Sequence, residues 1–351
     1  MSSVASAAVG VVSPTEFRRY ADPATELEVV RLTNPAFSSG LTAPHLRQFT
    51  KRSDALIYWS ERDGTRQLYR LDLHNGQSKQ LTDAAALDVS GFCLSPDDRY
   101  LYFFDGPELQ SVSSGLSRPR VLYKAPEGKT PSRLIASHLI VTADGSVLFA
   151  EGSRIMRVAL QKTGVLMETD GPIDLMMARP RHAQFLYRQG GRFWLVNTDG
   201  TGKKALSFAS GAGAGASSVG EALWSPNGRT LLYLNIPDDP KQLITLRENS
   251  PDDSTDSLVA RTSQYGTFAP NGDASVFAGA SRSKASSYIL ILLRVTKREL
   301  TLCEHRASDP AIVSVVFAPD SQSIVFVSDR HGKPALYRVP VEKFVEQTDE
   351  Q

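Results

Sequence analysis

The chain of 351 residues lacks most of the composition features by which a sequence is assigned to a broad structural or functional class. It has only two cysteines, a net charge of only +1, and no apolar run as long as a membrane helix. The near-neutral charge provides no basic surface, so we expect neither a nucleic acid nor a membrane as partner. Cys93 and Cys303 fall inside separate strand patterns, and we expect them to be buried as free thiols.

Local catalytic signatures are missing as well. The sequence has no Gly-x-Ser-x-Gly elbow, no Gly-rich phosphate loop and no Cys or His pair at zinc spacing. Its six histidines are scattered along the chain. Any active site must therefore be assembled from residues that are distant in sequence.

The N-terminus has no clear targeting signal. Residues 1–10 are small and mildly apolar, and they lack the basic leader of a secretory signal. We therefore expect a cytoplasmic protein with a disordered tail over residues 1–14 and a second tail over residues 342–351.

A short sequence motif, called the phrase below, recurs seven times, about every 45 residues, and it predicts the architecture. It consists of an apolar residue, a polar pair that often contains Pro-Asp or Pro-Asn, a turn and an apolar strand. Repeats of this length built from short strands indicate an all-β, seven-bladed β-propeller of four-stranded antiparallel blades, over residues 15–341. The seven copies are Phe49–Asp54, Leu94–Asp98, Val141–Gly145, Ala178–His182, Trp224–Gly228, Phe268–Gly272 and Phe317–Ser321.

No strand pattern follows Val341, so the outer strand of the seventh blade must come from another part of the sequence. We expect the N-terminal segment Glu26–Leu32 to pair beside this blade and close the ring. Two polar segments, Ser210–Ser218 and Arg247–Asp256, are predicted as loops.

Candidate functional residues stand just ahead of each phrase, where the inner strands of a propeller begin at one mouth of its channel. These positions carry cations, carboxylates and imidazoles, a mixture suited to a small polar or anionic ligand. The alternative is a solvated channel lined by polar side chains. The candidates are His45, Arg47, Arg179, Glu221, Gln264, Tyr265 and Asp309.

The sequence motifs of this chain resemble those of two known families. Ser328–Gly332, followed by Leu336–Val339, resembles the WD40-like blades of TolB-type propellers. A sharper resemblance, to the oligogalacturonate lyase family, is carried by Ser328–Tyr337, Val30–Thr33 and Asp174–Pro180.

The resemblance to oligogalacturonate lyases implies a cytoplasmic propeller that cleaves short pectin-derived uronate oligomers by β-elimination. It also implies a divalent metal, usually manganese, held by three histidines and one glutamine, and a further histidine as the base. The C5–H bond beside a carboxylate is a very weak acid, so positive charge at that carboxylate must stabilise the transition state.

At the matching positions this chain carries other residues. Ile312 and Ser314 stand where the family has a His-x-His pair, and Asp309 stands near its glutamine. Tyr265, beside Gln264, replaces a ligand histidine. The manganese ligands are therefore not matched, and Asp309 remains as the metal candidate.

Two hypotheses follow. The first is a carbon–oxygen lyase acting on oligouronates, with Glu221 or His45 as base, Arg47 and Arg179 as carboxylate clamps, and Gln264 and Tyr265 as further substrate-binding residues. The second is a non-catalytic, TolB-like propeller that binds a carbohydrate or a protein partner.

Glu221 stands at the position of the family's base histidine. An ordinary carboxylate is too weak a base unless burial raises its pKa. The alternative role for Glu221 is a channel carboxylate paired with an arginine.

Overall fold

The computed structural model describes residues 9–113, 118–126, 138–159, 162–208, 217–342 and 344. These residues form thirty β-strands and one 3₁₀ helix, Pro310–Ile312. The chain divides into two compact units. The first contains Met1–Thr15 and Leu41–Leu206, and the second contains Glu16–Gly40 and Ser207–Gln351.

Four short strands precede the first complete repeat. Strand β1 belongs to the first unit, and the other three belong to the second. They are β1 (Val12–Ser13), β2 (Arg18–Ala21), β3 (Glu28–Arg31) and β4 (Ser39–Gly40).

The first unit contains four antiparallel sheets, formed in chain order by β5–β7, β8–β11, β12–β15 and β16–β19. Strand β1 extends the first sheet along the edge of β7, and Phe49 bridges to Leu56 at its inner side. The strands are β5 (Ala55–Ser60), β6 (Gln67–Asp72), β7 (Ser78–Gln80), β8 (Leu87–Leu94), β9 (Tyr100–Asp105), β10 (Glu108–Ser113), β11 (Arg120–Lys124), β12 (Ile140–Val141), β13 (Val147–Glu151), β14 (Arg154–Ala159), β15 (Lys162–Glu168), β16 (Leu175–Ala178), β17 (Gln184–Gln189), β18 (Arg192–Asn197) and β19 (Lys204–Ala205).

The second unit contains the remaining three sheets. Two are four-stranded, β20–β23 and β24–β27, and the third has the order β2-β3-β30-β29-β28. The strands are β20 (Ser217–Trp224), β21 (Leu231–Pro237), β22 (Thr245–Ser250), β23 (Thr255–Arg261), β24 (Tyr265–Pro270), β25 (Val276–Ser281), β26 (Tyr288–Leu293), β27 (Arg298–Glu304), β28 (Val315–Phe317), β29 (Ser323–Ser328) and β30 (Ala335–Pro340).

The N-terminal strand β3 completes the last blade, as the sequence predicts. Val30 pairs with Arg338 and Arg31 with Tyr337, both in antiparallel register. The buried Asp22 holds the turn before β3, because its carboxylate accepts a hydrogen bond of 2.9 Å from the Glu304 N–H on β27. With this strand in place, the prediction of an all-β, seven-bladed propeller is confirmed.

Apolar side chains from neighbouring blades make the core within each unit. The second strand of a blade is buried on both faces, as in β13 and β25, where every described residue is buried. Cys93 and Cys303 lie in this core as free thiols, which confirms the expectation from sequence. Burial raises the pKa of both thiols.

Some sequence-based boundaries differ from the structure. Strand β1 lies within the segment predicted as an N-terminal tail. The run Arg247–Asp256, predicted as a loop, instead supplies the end of β22, a four-residue turn and the start of β23. Residues 1–8, most of the predicted 210–218 loop and most of the 342–351 tail lie outside the described residues.

No helix in the described part of the chain is long and apolar enough to cross a membrane.

Candidate functional site

Glu221 lies on a β-bulge in β20, the inner strand of its blade. Val219 pairs with Asn235 and Ala222 with Tyr233, so Gly220 and Glu221 together face a single residue of β21. A bulge of this kind bends the strand and re-aims a side chain, and bulges are common next to active sites. The bulge directs the Glu221 carboxylate to the next blade.

Two hydrogen-bond donors on β24 hold that carboxylate. The Phe268 N–H donates to Oε1 at 2.8 Å. The Thr267 hydroxyl lies 3.0 Å from Oε1 and 3.3 Å from Oε2. These contacts fix the orientation of Glu221 without bringing a positive charge to it.

Burial raises the pKa of Glu221 to about 7, even though the hydrogen bonds from Phe268 and Thr267 act to lower it. Part of the residue remains exposed, although protein atoms surround its carboxylate. Among the described residues, no Lys, Arg or His nitrogen forms an ion pair with Glu221, so the arginine pairing considered from sequence is not found. A carboxylate with this pKa is suited to accept a proton near neutral pH.

A second bulge lies opposite the first, at the start of β24. Tyr265 pairs with Ser281 and Thr267 with Ala280, which leaves Gly266 as the extra residue. Thr267, which sequence reasoning overlooked, follows this bulge directly. Two bulges on adjacent inner strands therefore meet at the Glu221–Thr267 contact.

The two predicted substrate-binding residues of this strand have different environments. Tyr265 is completely buried, and its ring covers the backbone of Gly279 so closely that an added Cβ there would lie 2.2 Å from Cε2. Gln264 is half-buried with a φ of 57°. Its Nε2 donates to the Gln242 carbonyl at 3.4 Å. Only Gln264 of this pair presents polar atoms near the surface.

Asp309, the metal candidate, is exposed and caps the 3₁₀ helix, where its carboxylate accepts a hydrogen bond of 2.9 Å from the Ala311 N–H. Within the residues that the structure describes, no three His, Cys, Asp or Glu side chains are close enough to hold one metal ion. Tyr265 is packed into the core, and both Glu221 oxygens already accept hydrogen bonds. The side chains present therefore do not fit a manganese centre of three histidines and one glutamine.

The other candidates belong to the first unit. His45 is half-buried ahead of Phe49. The Arg47 guanidinium donates to the Ser95 carbonyl and forms an ion pair with Asp98. A uronate would have to displace Asp98 in order to bind Arg47.

Arg179 is 1% exposed, and its guanidinium donates to Gln184 Oε1 at 2.8 Å. Gln184 in turn donates to Asn197 Oδ1 at 3.1 Å, which links neighbouring strands of the same blade. The role of Arg179 as a carboxylate clamp stays a prediction. In this structure its side chain is part of the blade interior.

Comparison with known proteins finds one family to which this chain is similar. The sequence profile named oligogalacturonate lyase matches residues 7–133. Two curated relatives extend the match to 93% of the chain: an oligogalacturonide lyase of Pectobacterium atrosepticum, 22% identical, and an oligogalacturonate lyase of Dickeya dadantii, 23% identical. The match covers 97% and 96% of these relatives, respectively. The chain is thus similar to oligogalacturonate lyases over nearly its whole length.

A solved family structure supports the same fold. An oligogalacturonate lyase in complex with manganese superposes with a TM-score of 0.85, at 22% identity, over 97% of this chain and 100% of the other. That structure contains the metal, whereas the ligand positions that the family resemblance assigns are filled here by Ile312, Ser314 and Tyr265.

The donor set leads to an expectation for metal binding. After dialysis against a chelator, the purified protein should show no tight site that binds one manganese ion per chain, because three imidazole donors are replaced. The electron paramagnetic resonance signal of free Mn²⁺ decreases when the ion binds, so the loss of signal measures the bound fraction. One tightly bound ion per chain would contradict the assignment of the ligand positions.

Proposed function

We propose that this protein cleaves short uronate oligomers by β-elimination, with Glu221 as the general base. The observation that carries the proposal is the pKa of Glu221, which burial raises to about 7. The resemblance to oligogalacturonate lyases assigns the base to the same position. Similarity to oligogalacturonate lyases supports the same reaction class. A small acidic oligosaccharide is the proposed ligand, and a cytoplasmic location is part of the same proposal.

The reaction needs one proton acceptor placed at C5 of the uronate. Glu221 removes the C5 proton, and the electrons of that bond form a double bond between C4 and C5. The C4–O4 bond breaks, and the leaving oxygen takes a proton from solvent. The hydrogen bonds from Thr267 and Phe268 keep the carboxylate in one orientation during this transfer.

The test is a continuous ultraviolet assay for the conjugated double bond, with purified protein and digalacturonate, trigalacturonate and other short uronides. Mass spectrometry of the unsaturated product identifies the bond that is broken. Growth of absorbance that depends on protein concentration supports the proposal. No product from any uronide, with or without manganese, would contradict it.

A non-catalytic function is the second candidate, and the replaced metal ligands favour it. A relative that keeps the blades but loses the ligand histidines could bind a carbohydrate or a protein partner without turnover. Calorimetric binding of trigalacturonate with no product formation would identify this case.

A further inference from the structure

An exposed arginine lies one strand away from the Glu221 site. Arg282 follows β25 directly, and its backbone N–H donates to the Gln264 carbonyl at 2.9 Å, which continues the pairing with β24. Its side chain is exposed. In the part of the chain that the structure describes, the guanidinium has no hydrogen bond or ion pair. Arg282 therefore has all of its donors available.

Strand register places Arg282 on the same face as the partner of Glu221. Ala280 pairs with Thr267, and residues two apart on a strand share a face, so Arg282 stands on the Thr267 side. Two residues along a strand span about 7 Å. Since Thr267 Oγ1 is 3.0 Å from the Glu221 carboxylate, a flexible arginine side chain can reach the space beside that carboxylate.

Gly266 allows Arg282 to pack directly against the bulge. A Cβ added to Gly266 would lie 2.9 Å from the Arg282 Cβ, so any larger residue would collide with the base of the arginine side chain. Gly266 is itself exposed. An accessible backbone at Gly266, an available guanidinium at Arg282 and the Glu221 carboxylate thus lie on or next to the neighbouring strands β24, β25 and β20.

We propose that Arg282 binds the carboxylate of the uronate residue whose C5 proton Glu221 removes. This assignment rests on the proposed function. A guanidinium can bind a carboxylate through two parallel hydrogen bonds, and its fixed charge stabilises the negative charge that develops when C5 loses its proton. Arg47 and Arg179 are held by protein groups, whereas Arg282 is not.

The test compares Arg282→Gln and Arg282→Lys with wild-type protein, using digalacturonate and its dimethyl ester. The ester keeps the C5 proton but lacks the negative charge. For the acid, the glutamine variant should lose at least about 10-fold in affinity, measured by calorimetry, and at least as much in kcat/KM. The lysine variant should recover part of both losses, and neither variant should change the affinity for the ester.

The matched control is Arg229→Gln, an exposed arginine in the turn between β20 and β21, at the other end of the blade. If Arg282→Gln and Arg229→Gln bind and cleave the acid equally well, the assignment of Arg282 is wrong while the proposed reaction stands. If wild type binds the acid without cleaving it and Arg282→Gln loses that binding, Arg282 is confirmed and the base is wrong. Failure of wild type to bind the acid would overturn the assignment.

Discussion

Replacing Glu221 with glutamine is expected to lower kcat on short oligogalacturonates by about 10²- to 10⁴-fold. Glutamine can still accept the Phe268 hydrogen bond, so the strand should keep its shape, but the side chain cannot take a proton. The change should appear mainly in kcat, because binding and proton transfer are separate steps. Steady-state assays of the unsaturated product measure both constants.

The control for this variant is Glu168→Gln, an exposed glutamate on β15. It should leave kcat and KM unchanged. Equal activity of Glu221→Gln and wild type would show that Glu221 is not the base.

The same variant should alter the pH dependence of stability. Folding raises the pKa of the Glu221 carboxyl group from 4.5 to about 7. Between these pH values the folded state binds more protons than the unfolded state, so the free energy of unfolding falls as the pH rises. Wild type therefore loses the stability that protonated Glu221 contributes as the pH rises from 4.5 to about 7, and the Glu221→Gln variant does not. The Tm of the variant relative to wild type should be higher at pH 8 than at pH 5, whereas a constant difference would argue against the raised pKa.

Gly279→Ala is expected to give the largest loss of stability, about 3 kcal/mol in the free energy of unfolding. An alanine Cβ would lie 2.2 Å from the Tyr265 ring, and the ring is enclosed on all sides by the core. Either the ring or the strand must move, and both are close-packed. Chemical denaturation at constant pH measures the change.

A matched glycine shows whether the collision is the cause. Gly164→Ala changes an exposed strand glycine where no heavy atom lies within 4 Å of the added Cβ, and it should have little effect. Adding Tyr265→Leu to Gly279→Ala should recover part of the loss, since the smaller side chain removes the clash. An equal loss in both glycine variants would contradict the packing argument.

The blades could be predicted from sequence because their signal is repeated and local. The polar phrase marks each turn, and the apolar run after it marks a strand that neighbouring blades cover. The N-terminal contribution to the last blade followed from the missing strand. Each of these inferences needs only pattern and length.

The polar run Arg247–Asp256 shows where pattern fails. Its residues read as a loop, but they form two paired strands because their polar groups bind one another. Arg247 forms an ion pair with Asp256 at 2.8 Å, with side chains only 12% and 8% exposed, and Tyr233 donates to the same carboxylate at 2.7 Å. Such pairings depend on contacts across strands that composition does not reveal.

The site shows the same limit. Glu221 was identified from its position ahead of a phrase, but its raised pKa depends on burial, and its contacts with β24 form beside two bulges. Thr267 and Arg282 become relevant only through strand register. By contrast, Arg47 and Arg179 looked available in sequence because their partners, Asp98 and Gln184, lie elsewhere in the chain.

The most direct test of the account is the pH dependence of kcat/KM for trigalacturonate, followed with the ultraviolet assay. The rate should rise to a plateau with one apparent pKa close to 7, because Glu221 acts only after it has lost its proton. An activity that is already maximal at pH 5, or one that keeps this profile in Glu221→Gln, would contradict the assignment of Glu221 as the base.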